Sequence, residues 1–95
     1  MQQITISTDS PIALKPLLES AIQTELRLLK LGIGRTEERL AEFEQEHELP
    51  SSEFEKLFSS GAIEENLDFI EWFGEIQTLR RLETKYRTLQ EAHLT

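Results

Sequence analysis

Residues 26–47 read LRLLKLGIGRTEERLAEFEQEH and contain the pattern that decides the fold. Residues three or four positions apart in this stretch share one helix face, namely Leu26, Leu29, Ile33, Thr36, Leu40, Phe43 and His47. Spacings that alternate between three and four over three heptads are typical of a helix that packs along a partner helix. Gly32 and Gly34 flank Ile33, and we expect them to allow close packing because the pattern continues on both sides.

A second apolar pattern follows near the C-terminus, at Leu67, Ile70, Phe73, Ile76, Leu79, Leu82, Tyr86 and Leu89. Between the two patterns, Pro50 ends the first helix, Ser51 or Ser52 is suited to cap a short helix, and Gly61 ends that helix. The sequence therefore predicts an all-α fold: a long antiparallel helical hairpin with a short corner helix. We expect helices at about 16–48, 52–59 and 64–94, within a single helical domain of residues 10–95.

The N-terminus has a different pattern. Residues 1–9 alternate apolar with polar side chains and are β-branched at Ile4, Thr5 and Ile6, which predicts an extended arm. Because the chain offers no second strand candidate, we expect this arm to be frayed or to pair with another molecule. Ser10 and Pro11 then form a helix-start signal.

Two helices that each bury one stripe leave several large side chains exposed, namely Leu17, Leu28, Leu31, Phe69 and Trp72. A chain of 95 residues with this pattern is not expected to build a sufficient core alone. We therefore predict a homo-oligomer, a dimeric four-helix bundle. Its self-association seam comprises Leu26, Leu29, Ile33, Leu40, Phe43, Leu79, Leu82, Tyr86 and Leu89.

Composition limits the partners. The chain has 18 acidic and 10 basic side chains, a net charge of −8 and no cysteine, which excludes disulfides and zinc–thiolate sites. Such acidity makes a basic protein the expected partner and disfavours direct nucleic-acid binding, since phosphate contacts need a basic face. No apolar run is long enough to span a membrane, and we expect a cytoplasmic protein without membrane contact.

Residues 67–75, LDFIEWFGE, alternate bulky apolar side chains with acids. Aromatic anchors beside acids suit a binder of a basic protein, because packing supplies affinity and charge supplies steering. The predicted partner-binding residues are Asp68, Phe69, Glu71, Trp72 and Glu75. The alternative is that the aromatic side chains only pack the helical corner against Phe54 and Phe58.

Glu44 and His47 have the Glu-x-x-His spacing of di-iron helical bundles, so a ferritin-like metal-binding dimer is an alternative function. The competing interpretation is that His47 lies in the last helical turn, where a cation is favourable. No serine or cysteine is placed to act with a histidine, and no glycine-rich phosphate loop is present. We expect no catalytic residue, no cofactor and no metal ligand.

Several runs carry a family resemblance: residues 35–40, 43–44, 51–54, 61, 67–72 and 79–82. They resemble a family of small helical proteins common in cyanobacteria and archaea, which is similar to the antitoxin component of type II toxin–antitoxin pairs. The resemblance covers about residues 15–92. It implies a non-catalytic inhibitor that covers the basic surface of a small ribonuclease-like toxin encoded by a neighbouring gene. Antitoxins usually join a DNA-binding domain to an inhibitory tail, and no separate DNA-binding module is evident in this sequence, so direct operator binding is not expected. A structural coiled-coil adaptor without a toxin partner is a further alternative function.

Overall fold

The structure is a computed structural model of the chain, and it describes residues 3–9 and 13–94. Three helices dominate it: α1 (Leu14–His47), α2 (Ser51–Ser59) and α3 (Leu67–Gln90). Two short strands, β1 (Gln3–Ile4) and β2 (His93–Leu94), complete the described elements. Helix α1 packs along α3, and α2 forms the corner between them. The predicted all-α hairpin is confirmed.

The molecule is a rod of 59 × 22 × 18 Å. Helix α1 has 34 residues, which corresponds to about 51 Å at 1.5 Å per residue. The radius of gyration is 18.7 Å, whereas a compact domain of this length would have about 12 Å. The chain therefore has little volume in which side chains can be enclosed on every side.

Both ends of α1 follow from its sequence. Pro16 lies in the first helical turn, where its missing N–H leaves no intrahelical bond unmade. At the other end Glu48 adopts a left-handed conformation (φ 51°) and its backbone N–H donates to the Glu44 carbonyl. Pro50 then prevents continuation of the helix. The predicted start signal at Ser10 and Pro11 lies outside the described residues.

The two later helices begin differently from the prediction. Pro50 occupies the N-cap position of α2, and its side chain makes no hydrogen bond to the helix. Neither Ser51 nor Ser52 is therefore the N-cap residue. Helix α3 begins at Leu67 rather than near Glu64, because the Asn66 side chain accepts a hydrogen bond from the Phe69 N–H at 2.8 Å. Asparagine is a strong N-cap residue, which places the helix start directly after it.

The ends of the chain also correct the prediction. Helix α3 ends at Gln90, and His93–Leu94 pairs in parallel with Gln3–Ile4. The expected frayed or intermolecular arm is therefore wrong for this segment. The hairpin returns the C-terminal residues to the end of the rod where α1 begins, so the chain supplies its own pairing strand.

The core lies at the corner. Its buried side chains are Leu40, Phe43, Phe54, Trp72 and Ile76, with Leu49, Phe58, Ile63, Phe69, Phe73 and Leu79 packed against them. Towards the termini, the buried side chains are Thr36, whose hydroxyl donates to the Gly32 carbonyl at 2.9 Å, and Leu29. A Cβ at Gly32 would lie 3.4 Å from Leu82, whereas nothing lies near one at Gly34. The expected close packing therefore applies to Gly32 alone.

Candidate functional site

The corner is organised around Trp72. Its ring stacks on Phe54, with centroids 3.8 Å apart and planes 4° apart, and on Phe43, with centroids 5.6 Å apart. The His47 imidazole stacks against it as well, at 5.4 Å. Each of the three helices thus contributes rings to one cluster, which explains why α2 is needed to close it.

The structure corrects the predicted role of Trp72. Its side chain is 0% exposed, and its indole Nε1–H donates to the Ser51 hydroxyl at 2.9 Å. A side chain without accessible surface does not contact a partner, so the partner-binding assignment of Trp72 is wrong. The alternative interpretation, that the aromatic residues pack the corner, is the one the structure shows.

The remaining predicted partner-binding residues differ in their exposure and in the contacts they already make within the chain. Phe69 is half-buried in the core. Asp68 accepts a hydrogen bond from His47 Nε2 at 2.5 Å, and Glu75 pairs with Arg39 at 3.2 Å. Glu71 is exposed. Three carboxylates of the predicted set therefore do lie on one side of α3, but two of them are already paired within the chain.

Helix α1 adds acids that the sequence prediction did not assign. Glu42 and Glu46 line, with Glu71, an open groove of about 220 Å³ whose other walls are Arg39 and Phe43. We call Glu42, Glu46 and Glu71 the acidic face. All three are exposed, and the nearby Arg39 charge is offset by Glu75. The groove therefore presents negative charge to solvent.

Exposed leucines lie on the same side of α1 as Glu42, nearer the N-terminus of the helix. Leu17, Leu28 and Leu31 are each more than half exposed, at 55%, 56% and 55%. We call them the leucine stripe. Positions 17, 21, 24, 28, 31, 35, 38 and 42 are spaced alternately by four and three residues, so the stripe and Glu42 lie on one side of the helix. These leucines were predicted to be exposed, and the structure confirms it.

The predicted self-association seam lies mostly inside one chain. Leu29, Leu40 and Phe43 are buried, and the other seam residues, Leu26, Ile33, Leu79, Leu82, Tyr86 and Leu89, are half-buried. Buried side chains do not form a surface for a second copy, so the seam assignment of these three residues is wrong. The heptad pattern was read correctly as a packing face, but the partner helix is the chain's own α3.

Glu44 and His47 contact different partners and do not form a joint site. Glu44 Oε2 accepts the Ser51 backbone N–H at 2.7 Å, which satisfies a free donor at the start of α2. His47 instead meets Asp68, and Glu46, His47 and Asp68 each bring one potential ligand atom within 4.8 Å of the others. No sequence signal joined positions 47 and 68, because only the antiparallel return of α3 brings them together.

A further ion pair fixes α2 to α3. The guanidinium of Arg80 donates two hydrogen bonds to the Glu55 carboxylate. These hydrogen bonds, with the positive charge of Arg80, lower the pKa of Glu55 below its ordinary value, and the same contact raises the pKa of Arg80. The acid that Arg80 pairs with comes from a different helix.

The termini-proximal half of the hairpin is open. A groove of about 500 Å³ separates the helices there, lined by Glu25, Leu29, Thr84, Lys85, Thr88, Leu89 and Ala92. Within the described residues, no helix is long and apolar enough to cross a bilayer. Comparison with protein-family models, curated proteins and solved structures finds no match to this chain.

Proposed function

We propose that this chain is a non-catalytic protein-binding module whose partner is a small basic protein. In its specific form the proposal is an antitoxin-like inhibitor that covers the basic surface of a ribonuclease-like toxin. The observation that supports it most is that the acidic face and the leucine stripe lie on one side of the rod. Charge would steer a basic partner, and the exposed leucines would supply apolar contact.

The proposed contact differs from an anchor built on aromatic side chains. Because Trp72 is enclosed, the apolar contribution comes from Leu28 and Leu31, which are exposed on the same side of α1 as Glu42, about 16–21 Å from it along the helix axis. Each leucine is already nearly half covered within the chain, so covering the remainder offers about 1–1.5 kcal/mol before the costs of association. The aromatic cluster acts indirectly, since it holds α1 and α3 at the spacing that forms the groove.

The experiment is co-purification of the chain with the product of its neighbouring gene. We expect a complex at low salt that weakens as salt rises, because screening reduces the attraction between the charged surfaces. The triple variant Glu42→Gln, Glu46→Gln and Glu71→Gln should lose the complex. A control that removes three exposed acids elsewhere, Glu19→Gln, Glu37→Gln and Glu64→Gln, should retain it.

The two triple variants carry the same net charge, so they separate a local surface from total charge. Equal weakening by both would mean that no specific face is used. Absence of a complex at low salt would remove the toxin-inhibitor proposal. A second test replaces Leu28 and Leu31 with serine, which should weaken the complex without changing the unfolding midpoint, since both side chains are exposed.

A further inference from the structure

We propose that Glu46, His47 and Asp68 bind a divalent transition-metal cation of the Zn²⁺ type. This inference is independent of the proposed partner, because it concerns the isolated chain. It also differs from a ferritin-like site, since it uses neither Glu44 nor a second copy. The three residues come from the last turn of α1 and the first turn of α3.

The geometry fits a small cation. One oxygen or nitrogen atom from each residue lies within 4.8 Å of the other two, and His47 Nε2 is 2.5 Å from Asp68 Oδ2. A cation with bonds of about 2.1 Å holds its ligand atoms about 3–4 Å apart. To admit the cation, His47 Nε2 and Asp68 Oδ2 would move about 1 Å apart from their hydrogen-bonded distance, and the exposed Glu46 side chain would rotate by the remaining distance.

The nitrogen ligand is held in place by packing. The His47 ring packs against Trp72, at 5.4 Å and 20°, and against Phe69, at 5.1 Å and 66°. Only 26% of its side chain is exposed, and its Nε2 contacts the Asp68 carboxylate. An imidazole oriented by its neighbours loses little entropy when it binds a metal, which distinguishes this cluster from a group of mobile surface acids.

The donor set selects the class of cation. One imidazole with two carboxylates suits Zn²⁺ and similar transition metals, whereas Mg²⁺ and Ca²⁺ prefer oxygen ligands alone. Three protein ligands leave a coordination position for water. Bound metal would take the place of the hydrogen bond between His47 and Asp68.

The test is titration of the chelator-treated full chain with ZnCl₂, followed by calorimetry and thermal unfolding. We expect saturable binding of one Zn²⁺ per chain and a Tm that rises with metal concentration, because the cation joins α1 to α3. MgCl₂ should leave the Tm unchanged. A chain that shows no saturable Zn²⁺ binding would overturn the proposal.

Three variants locate the site. Asp68→Asn should raise the Kd at least about tenfold, since a direct ligand is lost. Glu83→Gln removes the same charge on the same helix, about 22 Å along α3 from Asp68, and its Kd should stay within a factor of about two because a charge at that distance is screened. His47→Phe keeps a ring against Trp72 and removes the nitrogen, so it should abolish binding.

Unchanged binding in His47→Phe, or equal losses in Asp68→Asn and Glu83→Gln, would show that dispersed surface acids hold the metal. Thermal unfolding without metal checks that each variant is folded. Binding of the protein partner is measured in the presence of chelator, where no metal is bound. Absence of a metal site would therefore not contradict the proposed function.

Discussion

The two halves of the hairpin are built from the same α1 and α3 but are packed very differently. At the corner, five buried side chains form one cluster and two of them, Phe54 and Trp72, are fully enclosed. In the half nearer the termini, Leu29 is the one apolar side chain among the described residues that is buried. An open groove of about 500 Å³ lies beside it. The difference is made by α2, which packs against α1 and α3 at the corner.

Two parallel cylinders touch along one line, so each apolar side chain between them keeps a side that faces water. Helix α2 covers that side at the corner, where Phe54 lies directly on Trp72. We therefore expect the stability of this protein to be concentrated at the corner. Four predictions test this difference.

The largest effect is expected for Trp72→Ala. It removes the ring shared by the three helices and leaves the Ser51 hydroxyl without its donor, so the free energy of unfolding should fall by about 3–5 kcal/mol. Chemical denaturation measures this. Trp72→Phe is the control, since it keeps a stacked ring and should lose much less. A loss below about 1 kcal/mol for alanine would contradict the central role of the corner.

Leu29→Ala probes the open half. Its side chain is buried, but the groove beside it allows neighbours and water to fill the space, so the loss should be about 2 kcal/mol, at the lower end of the range for such substitutions. The same denaturation experiment compares it with Leu40→Ala at the corner. If Leu29→Ala were the more destabilising of the two, the proposed difference between the halves would be reversed.

Gly34→Ala should stabilise the chain by about 0.5–1 kcal/mol. It lies inside α1 with nothing near an added Cβ, so alanine only reduces the conformational freedom of the unfolded chain. Thermal unfolding measures the gain. Gly61→Ala is the control and should destabilise, because Gly61 has φ +75°, which strains any residue with a side chain.

Glu55→Gln should have the smallest effect, since the Arg80 pair is near the surface. The lowered pKa of Glu55 means that its contribution is present at pH values above its ordinary pKa of 4.5 and is lost as the pH falls through the lowered value. The difference in unfolding midpoint between wild type and variant should therefore vanish in acid and at high salt. A difference that persists in both conditions would mean that the ion pair is not its cause.

The sequence predicts the packing face of α1 and part of the acidic face. The spacing of Leu29, Leu40 and Phe43 identified a packing face, because apolar periodicity reports which side of a helix is covered. It did not identify what covers the face, and the predicted second copy is replaced at these positions by α3. The acids of α3 were recognised from their alternation with aromatic residues, but Glu42 and Glu46 of α1 were not assigned to the same surface.

By itself, the sequence determined the all-α class, the hairpin and the corner, because helix periodicity and helix-ending residues such as Pro50 act over a few neighbouring positions. Only the tertiary structure decided that Trp72 is enclosed rather than offered to a partner, that Glu44 bonds the start of α2, and that His47 meets Asp68. Those contacts depend on where α2 and α3 lie against α1. That arrangement is set by the packing of all three helices together, and no local pattern encodes it.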